Sequence, residues 1–353
     1  MMKVVIAGGG TGGHVIPAIA IGRELKQRYG AELLFIGTAR GIETRLVPQS
    51  GFELKLVKVG ALKNVTLMTR AQTVLDLPLA VLSARRFLKE FGADVMVGVG
   101  GYASGPAMMA ALLSGIPTLA FEPNVVPGFA NRAVGKRVSA AAVHFEESKK
   151  YFRNATLTGV PVREEFFTTQ ATPASKTLLI TGGSQGARAI NRAVMESLPE
   201  LAKIEGLHVI HQTGERDYND VSAAYQKAGV AANVSPFIQD MPNAFAHASL
   251  LLCRSGASTV AEIAAAGKPA IFVPFPYAAD DHQLRNAEAL AEKGAAVVVK
   301  EKDLTPASLS AAVAELINDP PRLEKMSQRA REQAHPGAGK QIAEMVAALA
   351  KSR

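Results

Sequence analysis

Tryptophan is missing from the 353 residues, tyrosine occurs six times and cysteine once. So few aromatic platforms leave little for single-stranded bases to stack on, and nucleic acid is not expected as a partner. One cysteine excludes an internal disulfide and fits a reducing compartment. That residue, Cys253, closes an apolar run and reads as core packing. No histidine and cysteine cluster has zinc-site spacing, and the adjacent Asp280-Asp281 is not a spaced acidic pair that would hold a metal between phosphates. The opening MMKVVIAGGGTGGH has one lysine and only a few apolar residues before its glycines, which is not the plan of a secretory signal and implies a cytosolic chain. Charge is absent from Val95 to Phe121, long enough on paper to cross a bilayer. Breaks at Gly100–Pro106 and at Gly115-Ile116-Pro117 divide that span into strand, helix and strand, as in a sheet buried on both faces.

What is present points to two soluble domains, since 353 residues is long for one core. The net charge of +8 is uneven. Met1 to Arg163 holds 20 Lys and Arg against 10 Asp and Glu, whereas the remainder holds 19 against 21. A basic first half suits a polyanionic partner such as an anionic membrane surface. Within it, residues 62–92 interleave Leu67, Val74, Leu75, Leu79, Leu82 and Phe87 with Lys63, Arg70, Arg85, Arg86 and Lys89. A core-facing helix with a solvated basic side explains such a stretch, and so does an apolar patch ringed by bases lying on an anionic leaflet.

Strand-like and helix-like segments alternate along the chain. The pattern predicts strands at Lys3–Ala7, Glu32–Ile36, Glu53–Val59, Asp94–Val99, Pro117–Phe121 and Arg137–Val143. Helices are expected from about Pro17 to Tyr29, then at Thr69–Phe91, Gly105–Ser114 and Gly128–Val134. A second round begins after Lys176 with TLLITGGSQGARAINRAV, and Pro306 to Arg353 reads as three helices broken at His335-Pro336-Gly337. The expected fold is α/β, with two doubly wound Rossmann-like domains facing across a cleft. The expected divisions are 1–163, 164–335 and a C-terminal helix, 336–353, packing back on the first domain.

Three glycine turns follow strands: GGGTGGH, GVGGYASG and GGSQGA. Glycines let a backbone approach a ligand, and a helix N-terminus opposes its negative charge. Gly8, Gly10 and Gly13 satisfy the dinucleotide fingerprint, but the acidic residue expected after the second strand is replaced by Ile36-Gly37-Thr38-Ala39; Arg40 nearby could meet a ribose phosphate. His14 suits general-base work, or bonds a backbone group at a helix start. Glu122 follows a strand, as a cleft-edge carboxylate or one paired with Arg132. Asn124 is a turn residue or a ligand amide. In Leu250 to Ala287, Thr259 and Glu262 read as a capping box, or Glu262 as the acceptor of both ribose hydroxyls.

GGGTGGHVIPA, GVGGYASGP, EPNVVPGFANR, TGGSQGA and CRSGASTVAEIAAAGKPAIFVPFP with DDHQLRNA together resemble the MurG family of bacterial glycosyltransferases over nearly the whole chain. The resemblance implies a GT-B enzyme that moves N-acetylglucosamine from UDP-N-acetylglucosamine to the C4 hydroxyl of the muramyl sugar of lipid I, with inversion, forming lipid II at the cytoplasmic face of the membrane. It implies a peripheral protein with no cofactor and no metal. Thr11, Gly12, Gly13, Asn124, Arg163, Ser184 and Ile238 would contact the donor. Ala257, Ser258, Thr259, Val260, Ala261 and Glu262 would hold uracil, phosphate and ribose, and Gln283 the donor sugar. The family often has His-Glu-Gln-Asn where this chain has Phe121-Glu122-Pro123-Asn124, which leaves His14 and Glu122 as acid-base candidates. Under this reading Glu262 is expected to recognise ribose. Rival readings are a diacylglycerol glycosyltransferase of the same fold, a nicotinamide oxidoreductase resting only on Gly8, Gly10 and Gly13, and a non-catalytic nucleotide-sugar sensor.

Overall fold

A computed structural model describes residues 1–60, 67–168 and 175–351. The chain divides into two compact units, Met1–Pro161 with Gly337–Arg353, and Val162–Pro336. The first crossing thus falls just before Arg163, which belongs to the second unit.

The first unit runs β1 (Lys3–Ala7), α1 (Gly12–Tyr29), β2 (Glu32–Gly37), α2 (Glu43–Gln49), β3 (Glu53–Leu56), α3 (Leu67–Phe91), β4 (Val95–Gly98), α4 (Ser104–Leu113), β5 (Thr118–Glu122), α5 (Phe129–Val134), β6 (Ala140–Val143) and β7 (Ala155–Leu157). Its seven strands are all parallel, in the order β3-β2-β1-β4-β5-β6-β7. Such a sheet carries helices on both faces, so β1 after Lys3 and all of β4 are apolar and closed to solvent. The charge-free span becomes β4, α4 and β5, with Ala107, Met108, Ala110 and Ala111 fully enclosed. Among the described residues no helix is long and apolar enough to cross a membrane.

The second unit runs β8 (Lys176–Thr181), α6 (Arg188–Leu201), β9 (Leu207–Gln212), α7 (Tyr218–Ala228), β10 (Ala232–Ser235), α8 (Met241–His247), β11 (Leu250–Cys253), α9 (Ala257–Ala266), β12 (Ala270–Phe272), α10 (His282–Glu292), β13 (Ala296–Val298), α11 (Pro306–Ile317) and α12 (Pro320–Arg331). Its sheet is parallel, in the order β10-β9-β8-β11-β12-β13. In both sheets the order reverses beside the first strand, where the carboxyl edge of a doubly wound sheet takes ligands. The last helix, α13 (Ala338–Lys351), lies with the first unit against α1 and β4. It buries Ile342, Ala343, Val346 and Ala347 on one stripe.

Several elements differ from the sequence expectation. Helix α1 begins at Gly12 rather than near Pro17. Pro17, the sixth residue of α1, lies inside the helix and leaves the Gly13 carbonyl without its backbone donor. Strand β3 ends at Leu56, three residues short of the expected Val59. Helix α2 and strand β7 carry too short an apolar pattern to stand out.

Candidate functional site

At the carboxyl edge of the first sheet, the chain leaves β1 through Gly8–Thr11 into α1. Gly10 takes φ +89°, which only glycine adopts without strain. Thr11 is the extended N-cap of α1 and is exposed. Beneath this turn lies Glu43, fully buried at the head of α2. Its Oε2 accepts the Gly10 N–H at 2.8 Å, and its Oε1 accepts the Thr38 N–H and hydroxyl, both at 2.9 Å. The acid missing from the end of β2 is therefore supplied six residues after Gly37. Because it is committed to backbone donors, it offers no carboxylate to a ribose, and the dinucleotide reading loses its second element.

His14, half-buried in the first turn of α1, has Nδ1 3.2 Å from the Gly9 carbonyl and 3.3 Å from Thr11 Oγ1. A carbonyl oxygen only accepts, so Nδ1 carries the proton and Nε2 is the basic nitrogen. The turn after β4 stands against it: a Cβ on Gly100 would meet the imidazole at 3.0 Å. Glu122 ends β5 almost fully enclosed. Oε1 accepts from Asn124 N and Nδ2 at 3.0 Å, and Oε2 from Gly128 N at 3.2 Å and Asn131 Nδ2 at 2.9 Å. Burial raises its pKa, against four donors that favour the charged form. Such a carboxylate organises the loop from β5 to α5 and has little capacity left for an incoming hydroxyl.

The second unit builds its edge differently. Between β8 and α6 the chain turns through Gly183 at φ +87° and Gly186 at φ +72°, with Ser184 exposed at the tip. A Cβ on Gly186 would fall 1.9 Å from the Thr213 carbonyl, so this turn packs directly on the end of β9. Buried Gln212 ties the loops together. Its Nε2 donates to Thr181 Oγ1 and the Gly183 carbonyl at 3.1 and 3.0 Å, and its Oε1 accepts from Ile238 N at 2.8 Å.

Helix α9 begins at Ala257 after Gly256, and no side chain caps it. The expected capping box is thereby corrected: Thr259 is the third helical residue and Glu262 lies in the second turn, beyond reach of the N-cap, because extended Gly256 already serves as the cap. Arg254, before this turn, is held by Glu301 at 2.6 Å and by the Val273 and Pro274 carbonyls, so its charge steadies the loop. Ser258 Oγ is enclosed near the helix start without a hydrogen-bond partner. The half-buried Glu262 carboxyl is pushed up to about 7 by burial, with Arg163 pulling it the other way. Exposed Arg163 stacks on Phe166, 5.2 Å from the ring centroid. Gln283 lies at the start of α10; its Oε1 accepts from Phe275 N at 3.0 Å and its carbonyl from Ser255 Oγ at 2.8 Å. The second edge therefore gathers Ser184, Ile238, Ala257–Glu262, Gln283 and Arg163, and the first gathers Thr11–His14, Glu122 and Asn124. Cys253 is enclosed and its thiol pKa is raised by burial first and Glu262 second, which makes it inert packing.

The glycosyltransferase family 28 N-terminal domain matches residues 4–143, and the family's C-terminal domain matches residues 177–342. A Solibacter usitatus protein named UDP-N-acetylglucosamine--N-acetylmuramyl-(pentapeptide) pyrophosphoryl-undecaprenol N-acetylglucosamine transferase is 44% identical over 98% of this chain and 96% of its own. A Myxococcus xanthus protein of the same name is 43% identical over 98% and 92%. The crystal structure of Acinetobacter baumannii MurG superposes with a TM-score of 0.86 at 31% identity, covering 99% of this chain and all of that one. The chain belongs to the MurG family. A glycosyltransferase of kitacinnamycin, 19% identical with a TM-score of 0.76 over 99% of both chains, shares the fold of this MurG-family chain.

Two residues of the site escaped sequence reasoning, Glu43 and Gln212. Both act from below a loop. The signal for Glu43 lay in Gly9, Gly37 and Gly41, where a Cβ would come within 2.2, 2.6 and 1.8 Å of its side chain. Nothing local marks Gln212.

Proposed function

We propose that this chain transfers N-acetylglucosamine from UDP-N-acetylglucosamine to the C4 hydroxyl of the muramyl sugar of lipid I, with inversion and without a metal, giving lipid II. The observation that carries this reading is the near-full-length likeness to proteins named for that transfer. The geometry supports it by giving each unit one half of the chemistry.

In the second unit, Glu262 accepts the ribose hydroxyls, while the start of α9, with the unpartnered Ser258 hydroxyl, takes the diphosphate. The turn at Ser184, the Ile238 loop, Arg163 and Gln283 enclose the rest of the donor. In the first unit, Thr11, Gly12, Gly13 and Asn124 also contact the donor, and His14 is the base. The acceptor oxygen forms its bond to the anomeric carbon as the bond to the β-phosphate oxygen breaks. Its proton passes to His14 Nε2, and the pair of electrons leaves with UDP. Glu122 holds the loop that carries Asn124 and is not the base. The first unit, residues 1–161 with 337–353, serves the acceptor and the membrane and lends a few donor contacts, and the second, 162–336, holds most of the donor.

The membrane surface is proposed on α3. Ala80, Ala84 and Leu88 face the core, which turns Leu79 and Leu82 outward at 63% and 59% exposure beside exposed Arg85, Arg86 and Lys89. Lys63 and the side chains of Leu67, Arg70, Val74 and Leu75 lie outside the described residues. Peripheral binding at the cytoplasmic leaflet follows from apolar contact reinforced by charge. Flotation with anionic and neutral liposomes tests this, and equal binding to both would remove the electrostatic part.

Transfer of labelled N-acetylglucosamine to a lipid I analogue, with UDP-glucose as competitor, tests the reaction itself. His14→Ala should lower turnover about 10²–10⁴-fold at unchanged thermal stability. An undiminished rate would take His14 out of the role, and transfer to diacylglycerol instead would favour the rival acceptor.

A further inference from the structure

One peptide group stands between a buried carboxylate and the imidazole of His14. The N–H of Gly10 and the C=O of Gly9 belong to the same amide, and in a trans amide they point in opposite directions. Glu43 Oε2 accepts the N–H at 2.8 Å. The carbonyl on the other side lies 3.2 Å from His14 Nδ1. We propose that Glu43 is a positioning residue for catalysis that acts on His14 through the Gly9–Gly10 peptide. This rests on His14 being the base.

The arrangement is a carboxylate–imidazole pair with an amide inserted. The buried negative charge polarises the amide, making its carbonyl oxygen a stronger acceptor for Nδ1–H, and hydrogen bonds linked in this way strengthen one another. Two consequences follow. The ring is held in the tautomer that leaves Nε2 basic, and the imidazolium formed on proton uptake is stabilised. That stabilisation is needed here, because His14 sits in the first turn of α1, where the helix dipole opposes positive charge.

The surroundings fit a built feature. Gly9, Gly37 and Gly41 together clear the space that the Glu43 side chain fills, and Thr38 fixes its second oxygen through two donors. Among the described residues the other titratable groups on this edge of the sheet include Arg40, Tyr102 and Glu122, with Lys58 exposed beyond β3 and His144 buried beyond β6. Arg40 and Tyr102 are exposed, and Glu122 accepts hydrogen bonds from its own loop. Thr11 and Gly100, which also stand against the ring, carry no charge. Glu43 is therefore the buried charge aligned with the Nδ1 side.

The test reads His14 by ¹⁵N NMR of histidine-labelled full-length protein, assigned with a His14→Asn control. In the unsubstituted protein at high pH the ring should be protonated at Nδ1; a ring protonated at Nε2 would overturn the proposal with no variant needed. In Glu43→Gln the His14 titration midpoint should fall by about 0.5–1 pH unit. The acid limb of kcat/KM should move down with it, and kcat should drop while donor KM holds. Thr38→Val keeps the charge and loses one of its bonds, so its midpoint should stay in place. A folded Glu43→Gln with an unmoved midpoint, or an equal shift in Thr38→Val, would refute action through the peptide. If Glu43→Gln fails to fold, the tautomer decides. None of these NMR readings needs turnover, so they stand apart from the His14→Ala assay that tests the base itself.

Discussion

The two glycine turns share a plan, strand to glycines to helix, yet they are held from below by opposite chemistry. Under the first lies an ionisable carboxylate, Glu43, which takes a loop N–H for itself. Under the second lies a neutral amide, Gln212, which donates to the loop's carbonyl and hydroxyl and takes its one N–H from Ile238. A buried negative charge beneath a diphosphate would repel it and compete for its donors, whereas an amide facing carbonyls takes none of the turn's N–H groups; those of Gly183 and Gly186 bond Thr181 Oγ1 and the Gly183 carbonyl, which leaves those of Ser184 and Gln185 for a ligand. A carboxylate is suited to a turn beside a base that must become cationic. Under the proposed roles, the anchor's charge would separate the half that receives the diphosphate from the half that accepts a proton.

Exchanging or removing the anchors probes this division. The largest effect is expected from Glu43→Ala. It strands the Thr38 and Gly10 donors in a closed pocket and should cost about 3 kcal/mol or more, read as a lower unfolding midpoint. UDP should still raise the midpoint of whatever remains folded, since most of its proposed contacts lie in the other unit; loss of that increment would show that the first turn carries donor binding. Next comes Gln212→Glu, which puts a charge beneath the second turn and should weaken UDP about tenfold or more by calorimetry. Gln212→Leu loses both donor bonds and the Ile238 bond as well, without adding a charge. If both variants bind UDP equally poorly, tethering alone matters and the electrostatic contrast fails.

Much of this was legible in the residues because periodicity and glycine spacing are local. Parallel strands buried on both faces read as apolar runs, so β1, β4, β8 and β11 declare themselves, and the glycine turns mark the edge where ligands bind. Helix α2 and strand β7 were not legible, because seven and three residues hold too little pattern. The capping box at Thr259 misled because its spacing is a property of sequence alone, while the helix start is set by how Gly256 leaves β11. Glu43 and Gln212 stayed hidden for another reason: each serves residues of a different strand's loop, and such pairings exist only once the sheet order is made.

The smallest effect belongs to Glu262, and it sharpens the contrast because here a carboxylate is proposed on the donor side, at the ribose rather than the phosphates. With its pKa up from 4.5 to about 7, ionisation opposes folding. The proton-bound form therefore contributes stability fully below about pH 4.5, and that contribution is lost as pH rises through about 7. Glu262→Gln removes the penalty, so its gain in Tm should be near zero at pH 4.5 and about 1–3 °C at pH 8, since the group is only half-buried. Donor binding should run the other way. If the charged carboxylate accepts both ribose hydroxyls, as proposed, UDP-N-acetylglucosamine should bind the unsubstituted protein several-fold more tightly at pH 8 than at pH 6. In the glutamine variant, affinity should be weaker and flat across that range. A variant that keeps the original pH dependence would show that another group titrates there and would return Glu262 to a packing role.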